Sequence, residues 1–172
     1  MSRDFSKSYM IDFETLGNGK NACVVQVGVS SFDKTKTFKR NIDPRTCQRN
    51  GADLDADTVL WWLGQSDQAR QSIMQPGIDE RIAFTELNAF LADAEEIWSH
   101  ATFDFVILME TLKRLGIKSL FSYRSARDIR TLVSLAKVDT KKKPRTGVHH
   151  DALDDSFYQV DYCVEAMEKL DK

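Results

Sequence analysis

The sequence predicts an α/β fold, a sheet covered by helices. Three observations carry this. Segments alternating apolar and polar residues crowd the chain up to Ile42, helically spaced segments interleaved with short strands fill the rest, and 172 residues suit one domain (1–172) with a self-sufficient core. Tyr9 to Glu14 reads as the first strand, with Ile11 and Phe13 on one face and Asp12 and Glu14 on the other. "ACVVQVGVSSF", Ala22 to Phe32, places Val25, Val27 and Val29 in register as a second strand. A tight turn near Asp33 leads to a third, "TFKRNI" (Thr37 to Ile42), forming an antiparallel meander.

Helical spacing then takes over. "DADTVLWWLGQSDQARQSIM" has an acid-rich start and a break near Gly64, and "FTELNAFLADA" sets Phe84, Leu87, Leu91 and Ala94 on one stripe. A short strand, "EIWS" (Glu96 to Ser99), precedes a helix from about Asp104 whose apolar side carries Phe105, Leu108, Met109, Leu112 and Leu115, with Gly116 as its stop. "DIRTLVSLAK" is a further helix with Asp128 as N-cap. The last helix, "DALDDSFYQVDYCVEAMEKL", spaces Leu153, Phe157, Val160, Val164 and Met167 helically. Between these two lies "KVDTKKKPRTGVHH", polar, basic and broken by Pro144 and Gly147, the kind of irregular segment that is either mobile or functional.

Composition narrows the class. Apolar residues make up 42%, as in an ordinary globule, and a net charge of −2 excludes a polycation, so any nucleic-acid contact must be local. Cys23, Cys47 and Cys163 are odd in number and lack paired spacing, which argues against a disulfide framework or zinc knuckle and fits a reducing cytosol. The N-terminal "MSRDFSKSYM" has no apolar h-region, and no apolar run reaches the ~18 residues needed to span a bilayer. The expectation is a cytoplasmic protein with no membrane partner.

Three acidic groups stand out. Asp12 and Glu14 share a strand face, and two carboxylates in a partly desolvated pocket require either a proton or a cation between them. Hard divalent ions, Mg²⁺ or Mn²⁺, suit such oxygens, although a solvated strand edge explains the pair equally well. Asp104, ending "SHATFD", sits at a strand-to-helix crossing, where the helix dipole alone would favour an acid. In "HDALDD", His150 lies just before the final helix, Asp155 projects from its second turn, and the small Ala152 lets that helix approach the sheet. An imidazole there suits proton removal from a nucleophilic water near neutral pH.

In order, Asp-x-Glu, Phe-Asp and His-x-Ala-x-x-Asp resemble the motifs of the DEDDh 3′→5′ exonucleases: "DFETLG" the first, "ATFD" the second, and His150, Ala152 and Asp155 the third. The resemblance covers nearly the whole chain. "TVLWWLGQSDQAR" and "RDIRTL" look most like a phage and bacterial RNase T-like subgroup, similar to the nuclease domain of exodeoxyribonuclease VIII. The family's second motif commonly runs His-Asn-Ala where this chain has Ser99-His100-Ala101, which leaves Asp104 in place but presents His100 as a competing active-site histidine.

The resemblance implies an RNase H-like mixed sheet, three antiparallel strands followed by parallel ones. It implies two divalent cations, Mg²⁺ or Mn²⁺, ~3.5–4 Å apart, one held by Asp12, Glu14 and Asp155 and the other by Asp12 with Asp104. His150 would be the general base, and nucleoside 5′-monophosphates would leave from single-stranded DNA or RNA 3′ ends. His149 is the alternative base, but counting from it puts Asp151 where close packing wants a small residue. Thr15, Leu16 and Phe103 are the expected substrate contacts, with Leu16 and Phe103 also explicable as core. Trp61 and Trp62, ~100° apart on a helix, cannot both face fully inward, which leaves one to stack on a base or to pack in the core. Lys141, Lys142, Lys143 and Arg145 would track phosphates, or simply be solvated, with Arg124, Arg127 and Arg130 as further cations. RNase T-like relatives often pair, which raises a homodimer. The rival readings are a phosphodiesterase for short oligonucleotides and an inactive nucleic-acid-binding module.

Overall fold

The computed structural model describes residues 4–171; residues 1–3, which open the polar N-terminal stretch, and residue 172 lie outside the described residues. The predicted meander is present as β1 (Ser8–Thr15), β2 (Val24–Ser31) and β3 (Thr37–Asn41), paired antiparallel. α1 (Pro44–Arg49), α2 (Ala56–Leu63), α3 (Asp67–Ile73) and α4 (Glu80–Phe90) follow. Then come β4 (Glu96–Ser99), α5 (Asp104–Arg114), β5 (Ala126–Asp128), α6 (Ile129–Leu135) and α7 (Ala152–Leu170). β4 pairs parallel with β1 and β5 parallel with β4, giving the order β3-β2-β1-β4-β5. Among the described residues no helix is long and apolar enough to cross a membrane.

Both faces of the sheet are covered, which is why β1 and β2 are buried at every position. On one face Tyr9, Ile11, Phe13, Val25, Val27 and Val29 pack with residues of α4 and α5 such as Phe84, Leu87, Leu108 and Leu112. On the other, Met10 and Trp98 meet Ile129 of α6 and Val160, Cys163 and Met167 of α7. Cys23, Cys47 and Cys163 are buried, and no disulfide joins them.

Several boundaries differ from expectation for local reasons. The long amphipathic stretch divides where predicted: Gly64 caps α2, and Ser66 starts α3 by accepting the Ala69 N–H. α4 ends at Phe90, so Ala94 packs on the core from the turn beyond it. α1 escapes periodicity analysis because six residues are too few, yet Asp43 caps it and Pro44 occupies its first turn. Gly116 ends α5 as predicted, at φ +66°, a conformation that favours glycine. Asp155 lies in the first turn of α7 rather than the second, because the helix begins at Ala152 with Asp151 as its N-cap.

The start of α7 is pinned from several sides. Asp151 pairs with Lys39 of β3 and Ser72 of α3, and the Ala152 N–H donates to Gln26 Oε1 of β2 (2.7 Å). Beneath it, Gly28 of β2 lies opposite Asp12, and a Cβ there would stand 2.2 Å from the Ala152 carbonyl carbon. A strand-interior glycine of this kind marks a close backbone approach. Gly28→Ala must therefore lift α7 from the sheet; the expected cost is about 3 kcal/mol, a fall in Tm of roughly 6–12 °C. Thermal melts followed by circular dichroism check this, and an unchanged Tm would mean that the contact is not tight.

Candidate active site

Four carboxylates from three elements converge at the carboxyl end of β1. Asp12 and Glu14 point from β1 toward α7, and a β-bulge follows, with Glu14 opposite Gln26 and Thr15 opposite Val24. Asp104, at the start of α5, accepts the backbone N–H groups of Phe13 (3.0 Å) and His100 (3.2 Å). Asp155, in the first turn of α7, accepts the His150 N–H (3.3 Å) and pairs with Arg145. None of the four is more than 7% exposed. One oxygen from each of Asp12, Glu14 and Asp155 falls within 4.8 Å of the others.

Burial raises the pKa of every member. Burial pushes Asp12 well above the usual carboxylate range, with Asp104, Glu14 and Asp155 adding repulsion against a bond from Gln159 Nε2 (2.7 Å). Burial likewise raises Glu14, reinforced by Asp155 and Asp104. Asp104 rises to about 7 through burial, opposed by its backbone donors, and Asp155 rises through burial despite Arg145. Among the described residues Arg145 is the one permanently charged side chain ion-paired with any of the four. A dense, oxygen-only donor set this short of positive charge fits hard divalent cations.

The arrangement has a measurable consequence in the metal-free chain. Carboxylates raised in the folded state hold protons that the unfolded chain has lost above about pH 4, so stability falls as pH rises from there through the folded values. Asp104, at about 7, carries that window up to neutrality. His100 and His150, held neutral in the fold, oppose this below about pH 6.5, so the readout is the metal-induced shift: Mg²⁺ or Mn²⁺ should raise the Tm more at pH 8 than at pH 5.5. Scanning fluorimetry at both pH values checks this; a metal-induced shift no larger at pH 8 would contradict it.

His150 stands beside the cluster in the left-handed region, φ +65°, a strained position for a non-glycine residue. Its ring stacks on His149 (3.8 Å between centroids) and meets Trp61 edge-on (4.9 Å). Burial, with His149 and Arg145, holds the His150 imidazole down to about 4, so it is neutral at pH 7 and free to accept a proton. His149 is exposed, whereas His150 is half-buried. Burial and Arg130 hold His100 at about 4 as well, with its Nδ1 3.8 Å from Asp104 Oδ2.

Two adjoining clefts of about 460 and 400 Å³ share Phe13, Glu14 and Phe103. The first also takes in Thr15 and Trp61; the second holds the remaining carboxylates and all three histidines. Phe103 therefore sits at the junction. Leu16 lies elsewhere, packed on the core and lining an apolar pocket with Trp62 and Ile73. The tryptophans divide as their spacing requires: Trp62 is buried, its Nε1 donating to the Thr15 carbonyl (2.8 Å), while Trp61 is 46% exposed.

The basic loop is largely tied to the protein. Lys143 binds the Asp161 carbonyl (2.9 Å) and Glu165 (3.0 Å), Lys142 lies 3.6 Å from Asp139, and Arg145 lies over the Tyr158 ring (4.2 Å). Arg127 lies 3.5 Å from Glu96, and Arg130 lines the acidic cleft. Asp128 caps α6 and also accepts the Ala101 N–H (3.1 Å), steadying the turn that carries Phe103.

Gln159, Gln26 and Gly28 support the site and were missed by sequence reasoning. Gln159 follows Asp155 by one helical turn, a spacing that put it on the same face of α7. Gly28, inside a predicted strand, was itself a signal of close approach.

The profile of the 3'-5' exoribonuclease Rv2179c-like domain matches residues 7–167. An exodeoxyribonuclease of Enterobacteria phage T4 is 27% identical over 125 residues, covering 61% of this chain and 55% of its own length. The chain thus spans about half the length of that relative. The crystal structure of the nuclease domain of 3'hExo, a DEDDh family member, bound to rAMP, matches with a TM-score of 0.62 at 12% identity, over 96% of this chain and 94% of that one. The shared feature there is the RNase H-like fold.

Proposed function

This chain belongs to the 3'-5' exoribonuclease Rv2179c-like domain family, and we propose that it acts as a single-domain, two-cation 3′→5′ exonuclease on single-stranded nucleic acid. The observation that carries the reading is the convergence of four buried carboxylates beside a neutral imidazole. Asp12, Glu14 and Asp155 would hold one cation, and Asp12 with Asp104 the second, Mg²⁺ or Mn²⁺ in each case. Bound there, the ions supply charge stabilisation to the attacking and leaving oxygens of the phosphodiester.

The chain's own groups do the rest. His150 takes the proton of the attacking water as its oxygen bonds to phosphorus; the 3′-oxygen of the penultimate nucleotide leaves and is protonated from solvent. The product is a nucleoside 5′-monophosphate. Thr15 and Phe103 border the terminal nucleotide, with Trp61 offering an exposed ring for stacking. Leu16 stands back from them, lining an apolar pocket with Trp62, whose Nε1 fixes the Thr15 carbonyl.

The test is a ladder experiment with 5′-labelled single-stranded DNA and RNA of several lengths, incubated with Mg²⁺ or Mn²⁺. Stepwise shortening from the 3′ end, stopped by EDTA, is expected. Cleavage confined to dinucleotides would move the reading to an oligonucleotide phosphodiesterase, and tight binding without cleavage to an inert module. The same gel reads sugar preference.

A further inference from the structure

We infer that His100 is a direct ligand of the second cation, which would then sit in an Asp12–His100–Asp104 donor set with one imidazole nitrogen. This rests on the cation reading of the carboxylate cluster given above.

The geometry is specific to these residues. His100 follows β4 directly, and its backbone N–H donates to Asp104 Oδ2, fixing the ring's origin beside that carboxylate. Its Nδ1 stands 3.8 Å from the same oxygen, too far for a hydrogen bond. Two ligand atoms about 2.1 Å from a shared ion lie roughly 3–4.2 Å apart depending on the angle between them, so the separation suits common ligation. One donor atom each from Asp12, His100 and Asp104 falls within 4.8 Å of the others.

A second observation comes from α7. Gln159 is 5% exposed, lines the same cleft, and donates its Nε2 to Asp12, yet its Oε1 is buried with no hydrogen-bond partner among the described residues. A cation on Asp12 would keep that carboxylate ionised and the Gln159 amide nitrogen turned toward it, so flipping the group would not relieve the orphaned acceptor. A hydrated cation in the cleft would present the water protons that this oxygen lacks. An all-oxygen position suits Mg²⁺; one nitrogen shifts preference toward transition ions such as Mn²⁺ and Co²⁺.

Pulsed electron paramagnetic resonance of bound Mn²⁺ tests this without reference to turnover. The chain has three histidines, so in the full-length His149→Ala/His150→Ala variant His100 is the only one left. With ¹⁵N-histidine incorporated, Mn²⁺ bound to that variant should show ¹⁵N coupling in place of ¹⁴N. In a separate titration, His100→Asn should weaken Co²⁺ binding about tenfold and Mg²⁺ binding less than about twofold. Mn²⁺ bound without histidine coupling would overturn the assignment and leave the cation reading standing. Failure of the wild-type chain to bind Mn²⁺ would remove both.

Discussion

Asp12→Asn should reduce turnover by about 10³-fold or more and at the same time raise the Tm of the metal-free chain. The two effects have one cause. Asp12 lies between Glu14 and Asp155 on one side and Asp104 on the other, and each of them pushes its pKa upward. It is also the one carboxylate assigned to both cations. Neutralising it removes a shared ligand, and with it several kcal/mol of charge stabilisation in the transition state. The amide keeps the shape and can still accept from Gln159 Nε2, so packing is preserved. Without metal, the substitution deletes a buried like charge, on the order of 1 kcal/mol or a few degrees of Tm in EDTA at pH 8. Single-turnover rates and melts on one preparation check both signs. A variant that loses activity because it has simply unfolded would lose Tm as well.

His150→Ala should lower kcat by roughly 10²–10⁴ while Mn²⁺ affinity, measured calorimetrically, stays within a few-fold. The half-buried ring, edge-on to Trp61, is positioned to take a proton, whereas His149 is exposed and stacked outside it. His149→Ala should therefore stay near wild type. The left-handed backbone at His150 supplies a control: His150→Gly suits φ +65° without strain and should show the same kinetic loss with no loss of stability. An inactive His149→Ala beside an active His150→Ala would reverse the assignment.

The parts of the fold legible in the sequence are those set by local chemistry. β1 and β2 declare themselves by period-two alternation of Ile11, Phe13, Val25, Val27 and Val29, and α6 by its Asp128 cap. Asp12 and Glu14 were readable as a pair because two acids on one face of an apolar strand need an explanation. Illegible were features that depend on distant partners. The meeting of Gly28 with Ala152 is fixed by how α7 packs on β2, and the bond from Ala152 to Gln26 Oε1 joins residues 126 positions apart. The inward face of the Trp61–Trp62 pair was likewise undecidable until α2 settled on the end of β1, where the Thr15 carbonyl claims the Trp62 N–H.

The central claim is that divalent cations cancel the repulsion among Asp12, Glu14, Asp104 and Asp155. Anomalous diffraction from crystals soaked in Mn²⁺ addresses it most directly. The account predicts two peaks, one among Asp12, Glu14 and Asp155 and one between Asp12 and Asp104, both absent from Asp12→Asn crystals. Well-ordered carboxylates with no anomalous density between them, or manganese bound only elsewhere on the surface, would contradict it.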